Sequence, residues 1–158
     1  MHGCKGHREF RLHCGEERLL SASSLWLWID LRTRSLVRVP DGLAGAFPVG
    51  KGAPPFRSDV DKLRFTPPAG PAPAMNLDVR YSDYDANGHV NNTAFFDLLQ
   101  TALARGGFSA QPHRLEIQFL REIPPGTSHV EVHLEARGRE TAFALGSGSV
   151  SFAQGVVG

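Results

Sequence analysis

The feature that most constrains the fold is one long amphipathic helix, predicted over residues 92–105. Its apolar residues recur every three to four positions and form a broad stripe on one face. The stripe consists of Ala94, Phe95, Leu98, Leu99, Ala102 and Leu103. Gly106-Gly107 follows, which is typical of a helix C-terminus. Because a single helix cannot bury its own stripe, the neighbouring segments must cover it.

Strand patterns flank this helix on both sides. Met75–Tyr81 alternates apolar and polar residues before it. Three strand candidates follow it, namely Arg114–Glu122, Val130–Ala136 and Thr141–Phe152. We interpret Gly146–Ser149 as an interruption within the last strand rather than a phosphate-binding loop. The pattern predicts an α+β fold in which an antiparallel sheet wraps around one central helix.

The N-terminal part of the chain carries strand signals of its own. Phe10 and Leu12 alternate with charged residues, and an apolar run covers Leu19–Leu31 before a turn and a further candidate, Leu36–Val39. Residues 41–74 are rich in proline and glycine and are predicted to be a linker with one short helix near Leu43–Phe47. We therefore predict three parts: 1–40, 41–74 and 75–158.

Composition excludes several partners. The 158 residues include 17 basic and 16 acidic ones, for a formal net charge of +1, so neither nucleic acid nor an anionic membrane is an expected partner. No apolar run approaches the ~20 residues needed to cross a bilayer. The first residues show no secretory signal, and Cys4 and Cys14 are too few for a disulfide framework, which favours a cytoplasmic location.

A group of potential metal ligands lies near the N-terminus. It consists of His2, Cys4, His7, His13 and Cys14. Their spacing fits no familiar zinc site, so we predict neither a metal nor a cofactor.

The polar loop between the first predicted strand and the helix, residues 83–92, reads DYDANGHVNN. It places a carboxylate, an amide and an imidazole at alternate positions, in Asp85, Asn87 and His89. A surface turn uses Asp, Asn and Gly because they tolerate tight backbone angles, but it does not need a histidine directly before an apolar helix. These groups together could hydrolyse an activated acyl group. A polar turn with an asparagine helix cap is the alternative at this point.

Three segments resemble one known family. Val79–Asn92 resembles the catalytic segment in the second hotdog domain of bacterial and plant acyl-acyl carrier protein (acyl-ACP) thioesterases. Phe119–Ile123 resembles the strand of that family that ends in Arg-Glu-Cys, and Ser21–Arg34 resembles the closing strands of its first hotdog domain. The resemblance implies one complete C-terminal hotdog after the last strands of an N-terminally truncated first hotdog. Exposed apolar surface, including Trp26 or Trp28, is then expected on the partial domain.

The resemblance also implies roles for individual side chains. Asp85 and Glu122 match the two acidic positions of the family, and Asn87 and His89 match its amide and imidazole. Either carboxylate is expected to act as general base, with direct attack by either on the acyl group as the competing mechanism. Asn87 would hold the water or the carbonyl oxygen, and His89 would polarise the carbonyl or relay a proton. Ile123 stands where many members carry cysteine, which excludes a thiol nucleophile.

The function implied by the resemblance is hydrolysis of acyl-ACP to release a free fatty acid in fatty acid biosynthesis. The expected partner is acyl carrier protein bearing a fatty acyl thioester, and a homodimer is a further expectation. The alternatives are a hotdog acyl-coenzyme A thioesterase and a truncated, inactive module that binds acyl groups or a partner chain. Asp83 is interpreted as a loop-shaping residue. Four scattered arginines could contact an acidic carrier, namely Arg80, Arg105, Arg114 and Arg121. Scattered arginines are more often ordinary surface charge.

Overall fold

The computed structural model describes residues 3–46, 57, 59–69, 74–109 and 111–158. The chain divides into two units, Met1–Leu63 and Arg64–Gly158. Residues 47–56, 58 and 70–73 of the predicted linker, with most of its prolines, lie outside the described residues, as does His2. The short helix predicted near Leu43–Phe47 is present as α1, Asp41–Ala46.

A two-stranded antiparallel sheet is the main regular element of the first unit. Its strands are β1, Lys5–Cys14, and β2, Glu17–Leu27. The register sets Phe10 opposite Ala22, Leu12 opposite Leu20 and Gly6 opposite Trp26, so these side chains share one face. The large apolar residues on this face, Phe10, Leu12, Leu20 and Trp26, are 50–57% exposed. The prediction of exposed apolar surface is therefore confirmed, and Trp28 is exposed as well.

The strand predicted at Leu36–Val39 is wrong. Only an isolated bridge joins Leu36 to Ile29. The amide of Val37 donates to the Trp28 carbonyl, whereas that of Val39 donates to the Gly3 carbonyl. Because successive amides bond to different parts of the chain, no continuous ladder forms.

The second unit confirms the predicted α+β architecture. Its elements are β3 (Met75–Asp78), α2 (Asn92–Arg105), β4 (Leu115–Phe119), β5 (His129–Arg137), β6 (Glu140–Ser147) and β7 (Val150–Val157). The strands form one antiparallel sheet in the order β3-β5-β6-β7-β4. The core joins the apolar stripe of α2 to inward-facing sheet residues such as Val130, Val132 and Phe143.

Helix α2 has the predicted boundaries and buries the six predicted stripe residues. Asn91 caps its N-terminus, where the side-chain oxygen accepts the Thr93 backbone N–H at 2.9 Å. At the other end, Gly107 adopts φ 74°, a left-handed conformation that glycine supplies at little cost.

Three predicted strands differ clearly from the structure in their limits. The one predicted over Arg114–Glu122 is β4, Leu115–Phe119, so Glu122 lies beyond its end. The strand predicted over Met75–Tyr81 stops at Asp78, because its partner β5 begins at His129 and Asp78 is the last residue with a partner. Residues Tyr81–Asp83 form a 3-10 turn instead. The strand predicted over Thr141–Phe152 is really two strands, β6 and β7, joined by a tight turn in which Gly148 has φ 57°.

The glycine at position 146 serves this hairpin. A Cβ there would lie 2.5 Å from the Val150 carbonyl oxygen, so only glycine fits without a shift. The backbone that approaches Gly146 closely is therefore that of the neighbouring strand β7. No helix in the described part of the chain is long and apolar enough to span a membrane.

Candidate active site

The polar loop between β3 and α2 is closed by its own backbone. Tyr84 and Val90 form an antiparallel bridge, and the Asn91 amide donates to the Asp83 carbonyl at 2.7 Å. Inside that pair, the Asp85 amide donates to the His89 carbonyl at 2.9 Å. The reversal requires φ 78° at Gly88, which favours glycine. Residues 85–89 therefore form a tight tip directly before the helix.

Asp85 and Asn87 contact each other at this tip. One oxygen of the Asp85 carboxylate accepts the Asn87 backbone N–H at 2.8 Å, and the other lies 3.4 Å from the Asn87 side-chain nitrogen. The Asn87 backbone hydrogen bond lowers the pKa of Asp85 below its ordinary value, against the opposing effect of burial. The Asn87 side chain and the backbone and charge of His89 add to this lowering. Asp85 is therefore a carboxylate at neutral pH.

His89 and Glu122 form the second contact. The His89 Nε2 atom lies 3.1 Å from a Glu122 carboxylate oxygen, and the two side chains are 30% and 47% exposed. Glu122 follows β4, and the amides of Leu120 and Arg121 donate to the Phe152 carbonyl. The structure thus brings the loop and a distant segment of the sequence together.

The residue after Glu122 anchors its backbone. Ile123 is fully buried and belongs to the core that contains the α2 stripe. A buried isoleucine offers no nucleophilic atom. Its packing fixes the segment from which the Glu122 side chain extends.

A groove of about 210 Å³ lies beside these groups. It is lined by Val90, Asn92, Phe95, Phe119, Leu120, Arg121 and Glu122. The rings of Phe95 and Phe119 meet edge to face with centroids 5.3 Å apart. An apolar floor next to a carboxylate is suited to an acyl group with a polar reacting end.

The first residue of α2, Asn92, lines the same groove. The Thr93 amide is taken by the Asn91 side chain and the Ala94 amide by the Asn91 carbonyl. The Asn92 amide has no hydrogen-bond acceptor among the described residues. Among these three amides, Asn92 is thus the available donor for a developing oxyanion.

Sequence reasoning missed one contact that supports the site. The Tyr84 hydroxyl lies 3.3 Å from the Thr127 carbonyl oxygen and 3.4 Å from that of Pro124. It connects the polar loop to the turn that follows Glu122. No local sequence signal indicates this contact, because its partners lie 40 and 43 residues away.

No metal site accompanies these groups in the described part of the chain, where no three His, Cys, Asp or Glu side chains are grouped to hold an ion. The groups that the site does contain are two carboxylates, an imidazole, an amide and the Asn92 backbone N–H. Such a set can activate water, stabilise an oxyanion and transfer a proton.

Comparison with known proteins agrees with this architecture. The antiparallel sheet packed on α2, with the polar loop before the helix, places the chain in the hotdog-fold class. A model of the acyl-ACP thioesterase C-terminal domain matches residues 71–150, and the chain belongs to the acyl-ACP thioesterase family. No curated protein matches it significantly.

Two solved structures illustrate the shared fold. An acyl-ACP thioesterase from Bacteroides thetaiotaomicron VPI-5482 superposes with a TM-score of 0.73 at 19% identity, covering 99% of this chain and 63% of that one. A 12:0-ACP thioesterase from Umbellularia californica gives a TM-score of 0.72 at 19% identity, with the same two coverages. This chain therefore spans somewhat less than two thirds of the length of those proteins.

Proposed function

We propose that the chain is a thioester hydrolase that acts on acyl-ACP and releases a free fatty acid. The observation that supports it most strongly is the 3.1 Å contact between His89 and Glu122 beside an apolar groove. This contact brings the polar loop together with the segment that follows β4. Membership of the acyl-ACP thioesterase family supports the substrate class.

In the proposed mechanism, Glu122 is the general base. A water oxygen attacks the thioester carbonyl carbon while the Glu122 carboxylate takes the proton of that water. The C–S bond then breaks, and the proton passes through His89 to the departing thiolate of the carrier. The products are a fatty acid and the free thiol of the carrier.

Asp85 is less suited to the base role. Its lowered pKa makes it a weaker proton acceptor near neutral pH. Its contacts instead favour a role in orienting Asn87, whose amide would hold the attacking water or the carbonyl oxygen. The Asn92 amide would complete the site for the oxyanion.

Direct attack by a carboxylate is the competing mechanism, and transfer of ¹⁸O to the protein would reveal it. In a single turnover in water labelled with ¹⁸O, attack by water places one ¹⁸O atom in the fatty acid. Attack by Glu122 or Asp85 forms an anhydride. If water then opens it at the protein carbonyl, ¹⁸O remains on the protein. Label on either side chain would therefore contradict the general-base assignment.

The charge distribution supports an acidic carrier as partner. Arg80 and Arg114 form ion pairs with neighbouring carboxylates, whereas Arg105 and Arg121 have no ion pair among the described residues. Arg121 also lines the groove beside Glu122. A guanidinium without an ion pair that lines the groove can attract an anionic carrier.

The substrate class is tested by a paired assay. The purified chain is supplied with the same acyl group on acyl carrier protein and on coenzyme A, and kcat/KM is measured for both. We expect the carrier-bound thioester to be preferred, and Arg121→Gln to reduce that preference. A strong preference for coenzyme A would contradict the proposal. A folded chain without hydrolysis of either substrate would favour an inactive binding module.

A further inference from the structure

Asp83 is the only charged residue in the described part of the chain that is buried, with 5% exposure. A buried carboxylate is costly unless charged or hydrogen-bonding partners compensate it. Arg80 supplies both kinds of contact. Its backbone N–H donates to one Asp83 oxygen at 2.8 Å, and its Nε and Nη2 atoms lie 3.0 and 2.8 Å from the other.

The backbone of Asp83 holds the opposite end of the polar loop. Its carbonyl accepts the Asn91 amide at 2.7 Å, and Asn91 in turn caps α2 through Thr93. Arg80 also approaches Asp97 of α2 at 3.7 Å. Asp83 therefore holds the loop of residues 84–90 in two ways: its carboxylate bonds to Arg80 before the loop, and its carbonyl bonds to Asn91 after it.

These contacts lie apart from the proposed chemistry. Arg80, Asp83 and Asp97 line a polar cleft of about 200 Å³ that shares no residue with the groove beside Glu122. The Asp83 carboxylate is turned to Arg80 and is nearly inaccessible, so it is not placed to touch a substrate.

We infer that Asp83 is a positioning residue: its salt bridge with Arg80 fastens the loop to α2 and thereby holds His89 within hydrogen-bonding distance of Glu122. Hydrogen bonds weaken steeply beyond about 3.5 Å, so a small shift of the loop would break the contact. The kinetic consequence rests on the proposed hydrolytic function. The structural consequence does not.

The structural consequence is measured by amide hydrogen exchange in Asp83→Asn, which retains the shape of the side chain and removes its charge. Asp78→Asn is the matched control, since Asp78 is exposed at the end of the neighbouring strand β3. We expect exchange of the Asp85 and Asn91 amides to accelerate about tenfold or more, by the loss of charge-assisted hydrogen bonds. Amides of the central strand β5 should keep their wild-type rates. Unchanged loop amides, or equal acceleration in β5, would overturn the inference.

The kinetic arm uses the same variants. In Asp83→Asn, kcat for the acyl-ACP thioester should fall about tenfold with KM within about twofold, because the groove is intact and only the catalytic geometry is disturbed. Asp78→Asn should behave as wild type. A change in KM with kcat unchanged would contradict a positioning role. If the wild type itself does not hydrolyse thioesters, the proposed function fails while the exchange data still decide the role of Asp83.

Arg80→Lys provides a second perturbation if Asp83→Asn does not fold. Lysine keeps the positive charge but loses the planar guanidinium, whose Nε also lies 3.3 Å from the second Asp83 oxygen. The same loop amides should accelerate, by a smaller factor than in Arg80→Gln. Equal exchange in wild type, Arg80→Lys and Arg80→Gln would overturn the inference.

Discussion

Replacement of Glu122 by glutamine should separate catalysis from stability. Glutamine keeps the size of the side chain but cannot accept a proton from water, so the proposed general base is lost. General-base catalysis contributes about 10²–10⁴-fold to a rate, or about 3–5 kcal/mol of transition-state stabilisation. We therefore expect kcat/KM for acyl-ACP to fall by a factor in that range.

The effect on folding should be small, and the structure gives the reason. At 3.1 Å the attraction between Glu122 and a protonated His89 is at most about 1.3 kcal/mol in a water-like dielectric. Both side chains are partly exposed, so desolvation and lost side-chain freedom reduce the net contribution to about 1 kcal/mol or less. For a chain of this length, Tm should fall by no more than about 4 °C.

The assay combines steady-state hydrolysis of acyl-ACP with thermal unfolding of the same preparations. Glu16→Gln is the control, because Glu16 is exposed in the turn between β1 and β2. His89→Gln and the double variant should lose about as much activity as Glu122→Gln, since the two residues act as one unit. A Glu122→Gln rate within about threefold of the wild type would refute the assignment of the base.

Three further predictions concern the loop and its support. Asp85→Asn should lower hydrolysis about tenfold or more. Because folding lowers the pKa of Asp85 from 3.8, its carboxylate stabilises the folded state above that pH, and this stabilisation is lost as the pH falls through the pKa of the folded state. The difference in Tm between wild type and Asp85→Asn should therefore shrink in melts below about pH 4. Ile123→Ala should reduce the unfolding free energy by about 2–5 kcal/mol in denaturant titrations, and Ile123→Cys should not raise hydrolysis; a gain would revive a thiol mechanism. Gly88→Ala should cost about 1–2 kcal/mol in the same titrations through its φ of 78° alone, since no atom lies within 4 Å of the added Cβ; an unchanged unfolding free energy would show that the loop does not require this conformation.

The sequence predicted α2 to the residue because all of its determinants are local. The apolar stripe, the Asn91 cap and the glycine pair at the C-terminus each lie within a few positions of the backbone they control. The hairpin between β6 and β7 is not predicted, because its local sequence is ambiguous. A tight turn at Gly148 between small residues differs little in sequence from an interrupted strand.

The candidate site was only partly within reach of sequence reasoning. The spacing of Asp85, Asn87 and His89 identified the loop, but Glu122 entered only through family resemblance. Its approach to His89 depends on how β4 pairs with β7 and on the burial of Ile123. Tyr84 could not be found, because its hydroxyl meets backbone carbonyls that any sequence would provide.

Fatty acid release from acyl-ACP in a single turnover by the purified chain tests the proposed hydrolysis most directly. Wild type and Glu122→Gln would be compared as folded preparations with matched Tm. We expect complete release by the wild type and release slower by about 10²-fold or more in the variant. Equal release by both, or none by the folded wild type, would contradict hydrolysis with Glu122 as the base.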